Sequence, residues 1–286
     1  MKALFVGGTG TISSAVAALA VKQGWNLTML NRGNQSEFVP QGVRVITGDI
    51  KNHPEECAQL LAGETFDVVA EFIGYVPSEV ERDINMFRGK TGQYIYISSA
   101  SAYQKPASNY LITEGTPLSN PYWQYSRDKI ACEEKLMHEY RETGFPVTIV
   151  RPSHTYGETK LPVPLSGKVK GGWQVVDRIR RGKPVIVHGD GYSLWTLTHN
   201  SDFAKGFVGL MGNPHAIGEA VHITSDETVT WNCAFESLGR AIGVMPKMVH
   251  MSCDFIATHD PDQAGPLLGD RAHSVVFDLS LIHIFL

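Results

Sequence analysis

The sequence lacks the features that mark disulfide-stabilised, membrane-spanning and nucleic-acid-binding chains. Its four cysteines stand far apart without a C-x-x-C pair, and a chain of 286 residues can bury a core that is stable without disulfides. No apolar run approaches the ~20 residues needed to cross a bilayer. The formal net charge is −4 and the basic residues are scattered, which favours neither a nucleic acid nor a membrane surface as a partner. These absences, with an N-terminus that lacks a cleavable signal, predict a cytoplasmic protein with reduced thiols.

Over its first half the sequence contains a regular alternation of strand-like and helical segments. Apolar, β-branched runs predict the strands, and helical periodicity predicts the helices between them. The predicted strands are residues 3–8, 26–32, 43–49, 66–74, 93–101 and 146–152, and the predicted helices are 12–24, 54–62, 80–87 and 123–143. Such alternation indicates right-handed crossovers and a parallel sheet covered on both faces. The predicted fold class is therefore α/β, a doubly wound parallel sheet.

The alternation stops after Pro152, where loops rich in proline and glycine begin. An amphipathic segment at 173–182, followed by short strands at 185–187 and 221–224, predicts a smaller mixed lobe. We therefore expect one domain over residues 1–152 and a lobe interlocked with it over residues 153–286. The apolar last residues, LIHIFL, are interpreted as a buried final strand or as a truncated or altered end, and the second interpretation is favoured.

A glycine-rich turn, VGGTGTISS at residues 6–14, lies between the first predicted strand and the first helix. Two of its glycines allow a tight turn and a close approach to a pyrophosphate, whose charge would lie at the helix N-terminus. The third position of the usual glycine pattern is Ser13, which is small enough for close helix–strand packing. A tight turn without a ligand is the alternative. The residues predicted to bind a dinucleotide here are Gly7, Thr9, Gly10, Thr11 and Ile12.

The end of the second predicted strand decides which dinucleotide fits. An acidic residue there would bind the adenosine ribose of NAD and would repel the extra phosphate of NADP. This chain has Asn31 followed by Arg32, and a guanidinium suits a 2′-phosphate. An ordinary solvated arginine is the alternative. The pair favours NADP as the cofactor and leaves NAD open.

Six short motifs follow one another in order along the chain. They are GGTGTIS (7–13), GDI (48–50), FIG (72–74), SSASAY (98–103), YSRDK (125–129) and RPSHTYG (151–157). With these motifs the chain resembles the extended short-chain dehydrogenase/reductases, which are nucleotide-sugar epimerase and dehydratase-like proteins, from residue 1 to about 278. The resemblance implies a Rossmann-type sheet with a smaller C-terminal substrate lobe, an NAD(P)-dependent activity and a homodimer through helices near 80–90 and 125–140.

The resemblance also implies further contacts with the cofactor. Asp49 and Ile50 would flank the adenine, whereas Phe72, Ile73 and Gly74 would line the cofactor cleft. A loop acid and ordinary strand core are the alternatives for these positions. The remaining predicted cofactor contacts are Tyr125, Lys129, Pro152 and His154.

Two Tyr-x-x-x-Lys pairs occur, Tyr125–Lys129 and Tyr156–Lys160. The first begins a predicted helix after the fifth strand, where the family carries its catalytic pair, and the second lies in a predicted loop. One helical turn would stack Lys129 beside Tyr125, although a surface pair has the same spacing. The ammonium and the nicotinamide charge are expected to lower the phenol pKa, so that Tyr125 exchanges a proton near neutral pH. The resemblance further implies that Lys129 binds the nicotinamide ribose.

Ser99 matches the family's catalytic serine or threonine, although Ser98 and Ser101 are close enough in sequence to leave the register open. Its hydroxyl would hold the substrate oxygen beside Tyr125. The residues predicted to be catalytic are Ser99, Tyr125 and Lys129, and no residue is assigned to a metal.

The substrate end departs from the family pattern. Many members hold a nucleoside diphosphate with an Asn and an Arg, and those positions are here His154 and Trp195. Loss of the guanidinium removes a bidentate phosphate clamp, which argues against a nucleotide sugar and leaves a carbonyl or sugar-like small molecule. Core packing of Trp195 and a satisfied loop histidine are the alternatives. The predicted substrate contacts are Ser99, Ser101, His154 and Trp195.

The predicted function is hydride transfer at a carbinol or carbonyl carbon, by a reductase or a sugar epimerase. The resemblance disfavours dehydration, because Ala100 and Ser101 stand where dehydratases carry an Asp-Glu pair.

A second hypothesis comes from DRIRRGKPV (177–185) and from Thr196, His199 and Asp202, which resemble a divergent branch that includes plastid stem-loop RNA-binding members. It is an RNA-binding or regulatory protein that keeps a cofactor site. Its basic strip would be Arg178, Arg180, Arg181 and Lys183. The negative net charge and the three catalytic residues favour the enzyme, so a nucleic-acid partner is not expected.

Overall fold

The computed structural model describes residues 1–165 and 170–285, and every strand and helix predicted for the first half is present. The strands are β1 (Lys2–Val6), β2 (Asn26–Asn31), β3 (Arg44–Thr47), β4 (Phe66–Glu71), β5 (Thr91–Ile97), β6 (Leu111–Ile112), β7 (Val147–Pro152), β8 (His154–Tyr156), β9 (Pro184–His188), β10 (Leu194–His199), β11 (Ala220–Ile223), β12 (Thr228–Thr230), β13 (Lys247–Met251) and β14 (Val276–Phe277). The helices are α1 (Thr11–Lys22), α2 (Pro54–Leu60), α3 (Pro77–Phe87), α4 (Gln124–Thr143), α5 (Trp173–Arg180), α6 (Asn200–Leu210), α7 (Trp231–Ile242), α8 (Cys253–His259), α9 (Ala264–Pro266) and α10 (Ser280–Phe285).

A seven-stranded sheet forms the centre of the fold, in the order β3-β2-β1-β4-β5-β7-β11, with every pair parallel. Side chains of β1 alternate between two apolar clusters: Ala3 and Phe5 belong to one, Leu4 and Val6 to the other. This period of two is what a sheet buried on both faces requires. Helices α1 and α6 pack together in the first cluster, and α3 and α4 in the second. The predicted α/β fold class is confirmed.

The chain changes direction across the sheet between β1 and β4, because β2 and β3 lie on one side of β1 and the later strands on the other. At such a switch point the loops after neighbouring strands separate and leave a crevice at their carboxyl ends. The turns after β1, β4 and β5 all border this crevice. Their positions determine where the functional side chains lie.

Residues on both sides of Pro152 build the sheet, since β11 pairs with β7 and α6 packs against α1. The rest of the C-terminal part forms small sheets, β12-β10-β8 and β13-β9, while β14 pairs with β6.

Two segments differ from the predictions. Strand β5 ends at Ile97 rather than near residue 101, because the Ser99 hydroxyl accepts a hydrogen bond from Ser101 N (3.2 Å) and starts a 3₁₀ turn. The final segment is helix α10 rather than a strand, with Ile282 buried. In the ranges that the structure describes, no helix combines the length and the apolar character needed to cross a membrane.

Candidate active site

The turn between β1 and α1 is built for a close approach to its backbone. Gly7 and Gly8 have φ angles of +92° and +118°, a region that glycine enters without a steric penalty. A Cβ on Gly7 would come within 3.0 Å of Ile73 Cγ2. Ser13 Oγ accepts a hydrogen bond from Gly10 N (2.9 Å), and the first turn of α1 contains no acidic residue. The positive end of the helix therefore borders the cleft without a protein anion beside it.

A cleft of about 710 Å³ extends from this turn across the carboxyl ends of β1 and β2. The bare glycine backbone and the helix N-terminus fit a pyrophosphate, so the residues present suit a dinucleotide. Thr11, Ile12, Pro152 and His154 lie in the adjoining cleft described below. The predicted residues that line the larger cleft are Gly7, Thr9, Gly10, Asn31, Arg32, Asp49, Ile50, Phe72 and Ile73.

The adenosine end of this cleft carries an exposed cation at the end of β2. Arg32 is exposed, whereas the Asn31 side chain accepts a hydrogen bond from Gly33 N (2.9 Å) and shapes the turn. Asp49 is the acidic residue among those lining the cleft. Hydrogen bonds from Asn52, chiefly from its side chain, lower the pKa of Asp49, with a smaller contribution from Arg32. The carboxylate therefore lies after β3, and a guanidinium occupies the position after β2.

Gly74 is not among the residues that line either cleft, and its carbonyl positions a side chain that does. Its carbonyl oxygen accepts hydrogen bonds from Lys129 Nζ (2.6 Å) and Tyr96 OH (3.2 Å). Lys129 Nζ also donates to the Ile97 carbonyl (2.7 Å). Lys129 is 1% exposed, and burial lowers its pKa to about 8. Two backbone carbonyls thus hold the ammonium at a fixed place between β4 and β5.

A second cleft of about 340 Å³ adjoins the first, and Gly10, Ser13, Phe72 and Tyr75 border both. Ser99, Tyr125 and Lys129 all line it, although they come from a loop and a helix well separated in sequence. The Tyr125 ring lies 4.7 Å from that of Trp123 and 6.2 Å from that of Tyr75, between centroids. Lys129 Nζ lies 5.8 Å from the Tyr125 centroid. The structure therefore brings the three predicted catalytic residues to one surface.

The hydrogen bonds distinguish Ser98, Ser99 and Ser101, the three serines considered for the position of the family's catalytic serine or threonine. Ser98 is buried and donates to Glu133 on α4, so its hydroxyl is engaged within the core. Ser99 Oγ lies 2.8 Å from Ser101 Oγ, which accepts from Ser126 Oγ (2.8 Å). Ser99 is only partly buried and lines the cleft. Its hydroxyl is the more accessible to a substrate, while buried Ser101 supports it from behind.

The expected lowering of the Tyr125 pKa is not found among the protein's own groups. Burial raises the pKa of this phenol above its usual value, and the Ser99 hydroxyl opposes the rise only in part. The Lys129 ammonium donates to two carbonyl oxygens and lies over the rings of Tyr75 and Tyr96. Its charge is therefore not directed at the Tyr125 phenol. The protein by itself therefore keeps Tyr125 protonated at neutral pH.

Comparison with known protein families identifies the family of this chain. Residues 3–224 match the model of the NAD dependent epimerase/dehydratase family. The chain belongs to this family. The resemblance predicted from the six motifs is thereby confirmed.

The proteins that this chain resembles differ in their activities. The chain is 24% identical over 282 residues to a 2′-dehydrokanamycin reductase of Streptomyces kanamyceticus, covering 99% of this chain and 78% of that protein. It is 28% identical over 263 residues to the chloroplast stem-loop binding protein of 41 kDa b of Arabidopsis thaliana, covering 87% and 65%. The UDP-glucuronic acid 4-epimerase of Bacillus cereus, solved with NAD, shares the fold with a TM-score of 0.77 at 18% identity, covering 100% and 90%.

The second Tyr-x-x-x-Lys pair of this family member is not helical. Tyr156 ends β8 and its ring lies 5.2 Å from that of His199, while Gly157 and Lys160 close a turn through backbone hydrogen bonds of 3.0 and 3.1 Å. Tyr156 does not line the cleft that holds Tyr125, but Lys160 does. The predicted loop is thus a turn that begins directly after β8, and its lysine reaches the cleft although it is not among the predicted site residues.

The substrate end combines predicted and unexpected residues. His154 and Trp195 line the cleft as predicted and are 7% and 2% exposed. Burial lowers the pKa of His154 well below its usual value, so the ring is neutral. The cleft also contains residues that were not among the predicted contacts, because they reach it only through the fold: Tyr75, Trp123, Lys160, Asp270 and Arg271. Within residues 1–165 and 170–285, no cluster of three or more His, Cys, Asp or Glu side chains could hold a metal ion.

A buried carboxyl pair lies behind the cofactor cleft, where β4 meets α3. Glu71 and Asp83 are both 0% exposed. Asp83 accepts hydrogen bonds from Arg82 Nε and Tyr94 OH, both at 2.8 Å. Burial, reinforced by the Asp83 charge, raises the pKa of Glu71 well above its usual range. Burial also raises the pKa of Asp83, which its hydrogen bonds and Arg82 oppose, so Glu71 is the carboxyl of the pair that burial disfavours more strongly as an anion; its Oε1 accepts from Ile73 N at 2.5 Å.

We expect Glu71→Gln to remove a pH dependence of stability. Folded protein keeps a proton on Glu71 that the unfolded chain releases near pH ~4.3, so the free energy of unfolding falls above that pH, by about 1.4 kcal/mol per unit, until the folded-state pKa is passed. Urea unfolding should show the variant gaining stability over the wild type as the pH rises above about 5. Glu55→Gln, at an exposed position on α2, is the control and should follow the wild type. A Glu71→Gln variant with the wild-type slope would contradict the assignment.

Proposed function

We propose that this protein is a nicotinamide-dependent oxidoreductase that acts at a carbinol or carbonyl carbon of a small, sugar-like substrate, as a reductase or as an epimerase. One observation carries the proposal: Ser99, Tyr125 and Lys129 line a single cleft with the first turn of α1. Family membership supports an enzyme of the epimerase/dehydratase type. The glycine turn supplies the backbone that a dinucleotide needs.

Each catalytic residue has a role that its environment supports. A bound nicotinamide would supply or accept the hydride. Tyr125, whose burial favours the neutral phenol, would donate a proton to the substrate oxygen during reduction and take it back in the reverse direction. Ser99 would hold that oxygen by a hydrogen bond. Lys129 uses two of its three N–H groups on Gly74 and Ile97, which leaves one for a ribose hydroxyl.

The cofactor we propose is NADP, because Arg32 is the exposed charge at the end of β2. Replacing Arg32 by alanine should weaken NADPH binding by about 10- to 100-fold, since charge-assisted hydrogen bonds to a phosphate contribute about 1.5–3 kcal/mol. NADH affinity should change little. Fluorescence titration with each dinucleotide measures both values. Arg240→Ala, in α7 with a 60% exposed side chain, is the matched control.

Three results would distinguish the possibilities. Wild-type protein that binds NADH more tightly than NADPH would overturn the NADP assignment alone. Equal NADPH affinity in Arg32→Ala and the wild type would overturn the role of Arg32. Binding of neither dinucleotide would overturn the proposed enzyme.

Reduction and epimerisation differ in net redox change. The relative from Streptomyces kanamyceticus is a reductase, whereas the protein from Bacillus cereus is an epimerase. A reductase would consume NADPH in proportion to product. An epimerase would convert its substrate while the cofactor returns to its starting state. Measuring NADPH absorbance against product by mass spectrometry separates the two.

The RNA-binding alternative is not adopted. Arg178 Nε donates to the Pro184 carbonyl (2.8 Å), and Arg181 Nε lies 2.9 Å from Asp177 Oδ1. These members of the basic strip are thus engaged within their own lobe, on a chain of net charge −4. The stem-loop binding described by the name of the Arabidopsis relative is therefore not carried over to this chain.

Two further expectations stay predictions. A homodimer through α3 and α4, which pack against each other, is to be checked by analytical ultracentrifugation. A cytoplasmic location is supported by four free cysteines, two of them buried, because thiols stay reduced in that compartment.

A further inference from the structure

The substrate cleft carries more positive than negative charge beyond the catalytic residues. Lys160 and Arg271 both line it, and Asp270 is the acidic residue among the lining side chains. Both cations are only half-buried, so a ligand in the cleft can reach them. Among the described residues, neither cation forms an ion pair. The negative charge of Asp270 raises the pKa of both cations without a salt bridge to either.

The backbone around both cations is braced. The Gly157–Lys160 turn is joined to the glycine turn by the hydroxyls of Thr11 and Thr159, 2.7 Å apart. Arg271 Nη1 donates to the Pro164 carbonyl at 2.5 Å, which fixes one terminal nitrogen of the guanidinium and leaves its other N–H groups for a ligand. Two cations held in place beside a reaction centre form a pre-organised binding site rather than a solvated surface.

The charge balance of this region favours an added anion. Asp270 must already offset three cations, because buried Lys105 (3% exposed) also lies within its field. Burial and the neighbouring Arg271 lower the pKa of Lys160 to about 8. Unpaired charges that are partly removed from water cost free energy, and a ligand of opposite sign offsets that cost.

Two buried polar groups in the same cleft also lack partners. Trp195 Nε1 and His154 Nε2 have no hydrogen-bond partner among the described residues. Both residues line the cleft. A buried indole N–H ordinarily donates a hydrogen bond, so a ligand oxygen would satisfy it. This observation is independent of the charges, and the indole N–H is a donor that suits an oxygen of a ligand.

We propose that Lys160 and Arg271 bind a negatively charged oxygen group of the substrate, a carboxylate or a phosphate, with Trp195 completing the contact. The assignment rests on the proposed function, because the bound molecule is taken to be the one whose oxygen meets Tyr125. Lys160 and Arg271 would supply the positive charge that many family members carry on an Arg at the position of Trp195. Neither residue is among the predicted substrate contacts. A cleft of about 340 Å³ lies at the lower end of the ~300–1,000 Å³ range of ligand sites, which suits an anionic monosaccharide.

Three probes with a common ring test this site. D-Glucuronate, D-glucose 6-phosphate and neutral D-glucose are titrated calorimetrically into the full chain saturated with NADP, so that the glycine turn is covered. We expect an anionic probe to bind more tightly than D-glucose. Lys160→Met should weaken that binding by about 10-fold or more, and Arg271→Gln should do the same. Which anion binds distinguishes a carboxylate from a phosphate.

Lys183→Met, an exposed lysine after α5, is the matched control and should bind as the wild type does. Should Arg271→Gln fail to fold, Lys160→Met carries the test. Equal binding of all three probes, no binding of either anion, or wild-type affinity in Lys160→Met would overturn the proposal. The proposed function fails separately, through a failure to bind NADPH; the same probes titrated into cofactor-free protein would then still test Lys160.

Discussion

Replacing Tyr125 by phenylalanine should reduce turnover by about 10²- to 10⁴-fold, the usual contribution of a positioned acid or base. The substitution removes the hydroxyl and keeps the ring that contacts Trp123 and Tyr75. The affinity for NADPH should therefore stay near that of the wild type. Single-turnover rates on a carbonyl substrate found by an NADPH-consumption screen measure the effect.

The second tyrosine of the same spacing provides the matched control. Tyr156 lies on β8 outside the catalytic cleft, so Tyr156→Phe should keep the wild-type rate. A wild-type rate in Tyr125→Phe would show that another group transfers the proton. An equal loss in both variants would mean that aromatic packing, rather than acid–base chemistry, accounts for the effect.

Replacing Arg151 by leucine should lower the free energy of unfolding by about 3–5 kcal/mol, because it leaves a buried carboxylate without its cation. Arg151 on β7 and Glu133 on α4 are 5% and 2% exposed, with Nη2 and Oε2 2.6 Å apart. Arg151 also donates to Tyr103 OH (3.1 Å). The pair ties the helix that carries Tyr125 and Lys129 to the central sheet.

Urea unfolding provides the measurement, with two comparisons. Arg181→Leu breaks a pair whose side chains are 64% and 56% exposed, and it should change stability by about 0–1 kcal/mol. The double variant Arg151→Leu/Glu133→Leu removes both charges and should recover much of the loss. A loss in the double variant larger than in Arg151→Leu alone would show that packing, not the unpaired charge, dominates.

The residues of the RPSHTYG motif (151–157) take different places in the structure. Its arginine is a buried structural cation on β7, and its histidine and tyrosine both lie on β8, where only the histidine lines the cleft that contains Tyr125. The sequence indicated that the motif is typical of a family, and it predicted the strand over residues 146–152 at whose end the motif begins. The separate roles depend on which elements surround each side chain, and those elements come from distant parts of the chain.

The same distinction applies to Lys129. Its position on a helix after the fifth strand follows from local periodicity, and its spacing from Tyr125 follows from helix geometry. Its acceptors, the carbonyls of Gly74 and Ile97, lie at the ends of two other strands. The role of the Gly74 carbonyl could not be read from its motif, because a motif names a residue without showing which way its backbone groups point.

The sequence by itself determined the alternation of strands and helices, the parallel sheet and the glycine turn, because period and turn chemistry are local properties of a chain. Only the tertiary structure decided that burial raises the pKa of the Tyr125 phenol and of the Glu71 carboxyl, and that Lys160 and Arg271 line one cleft. Desolvation and Coulomb interaction depend on distances between atoms rather than on separation along the chain. Lys160 and Arg271, more than a hundred positions apart in sequence, become neighbours of Tyr125 only when the C-terminal segment packs onto the sheet.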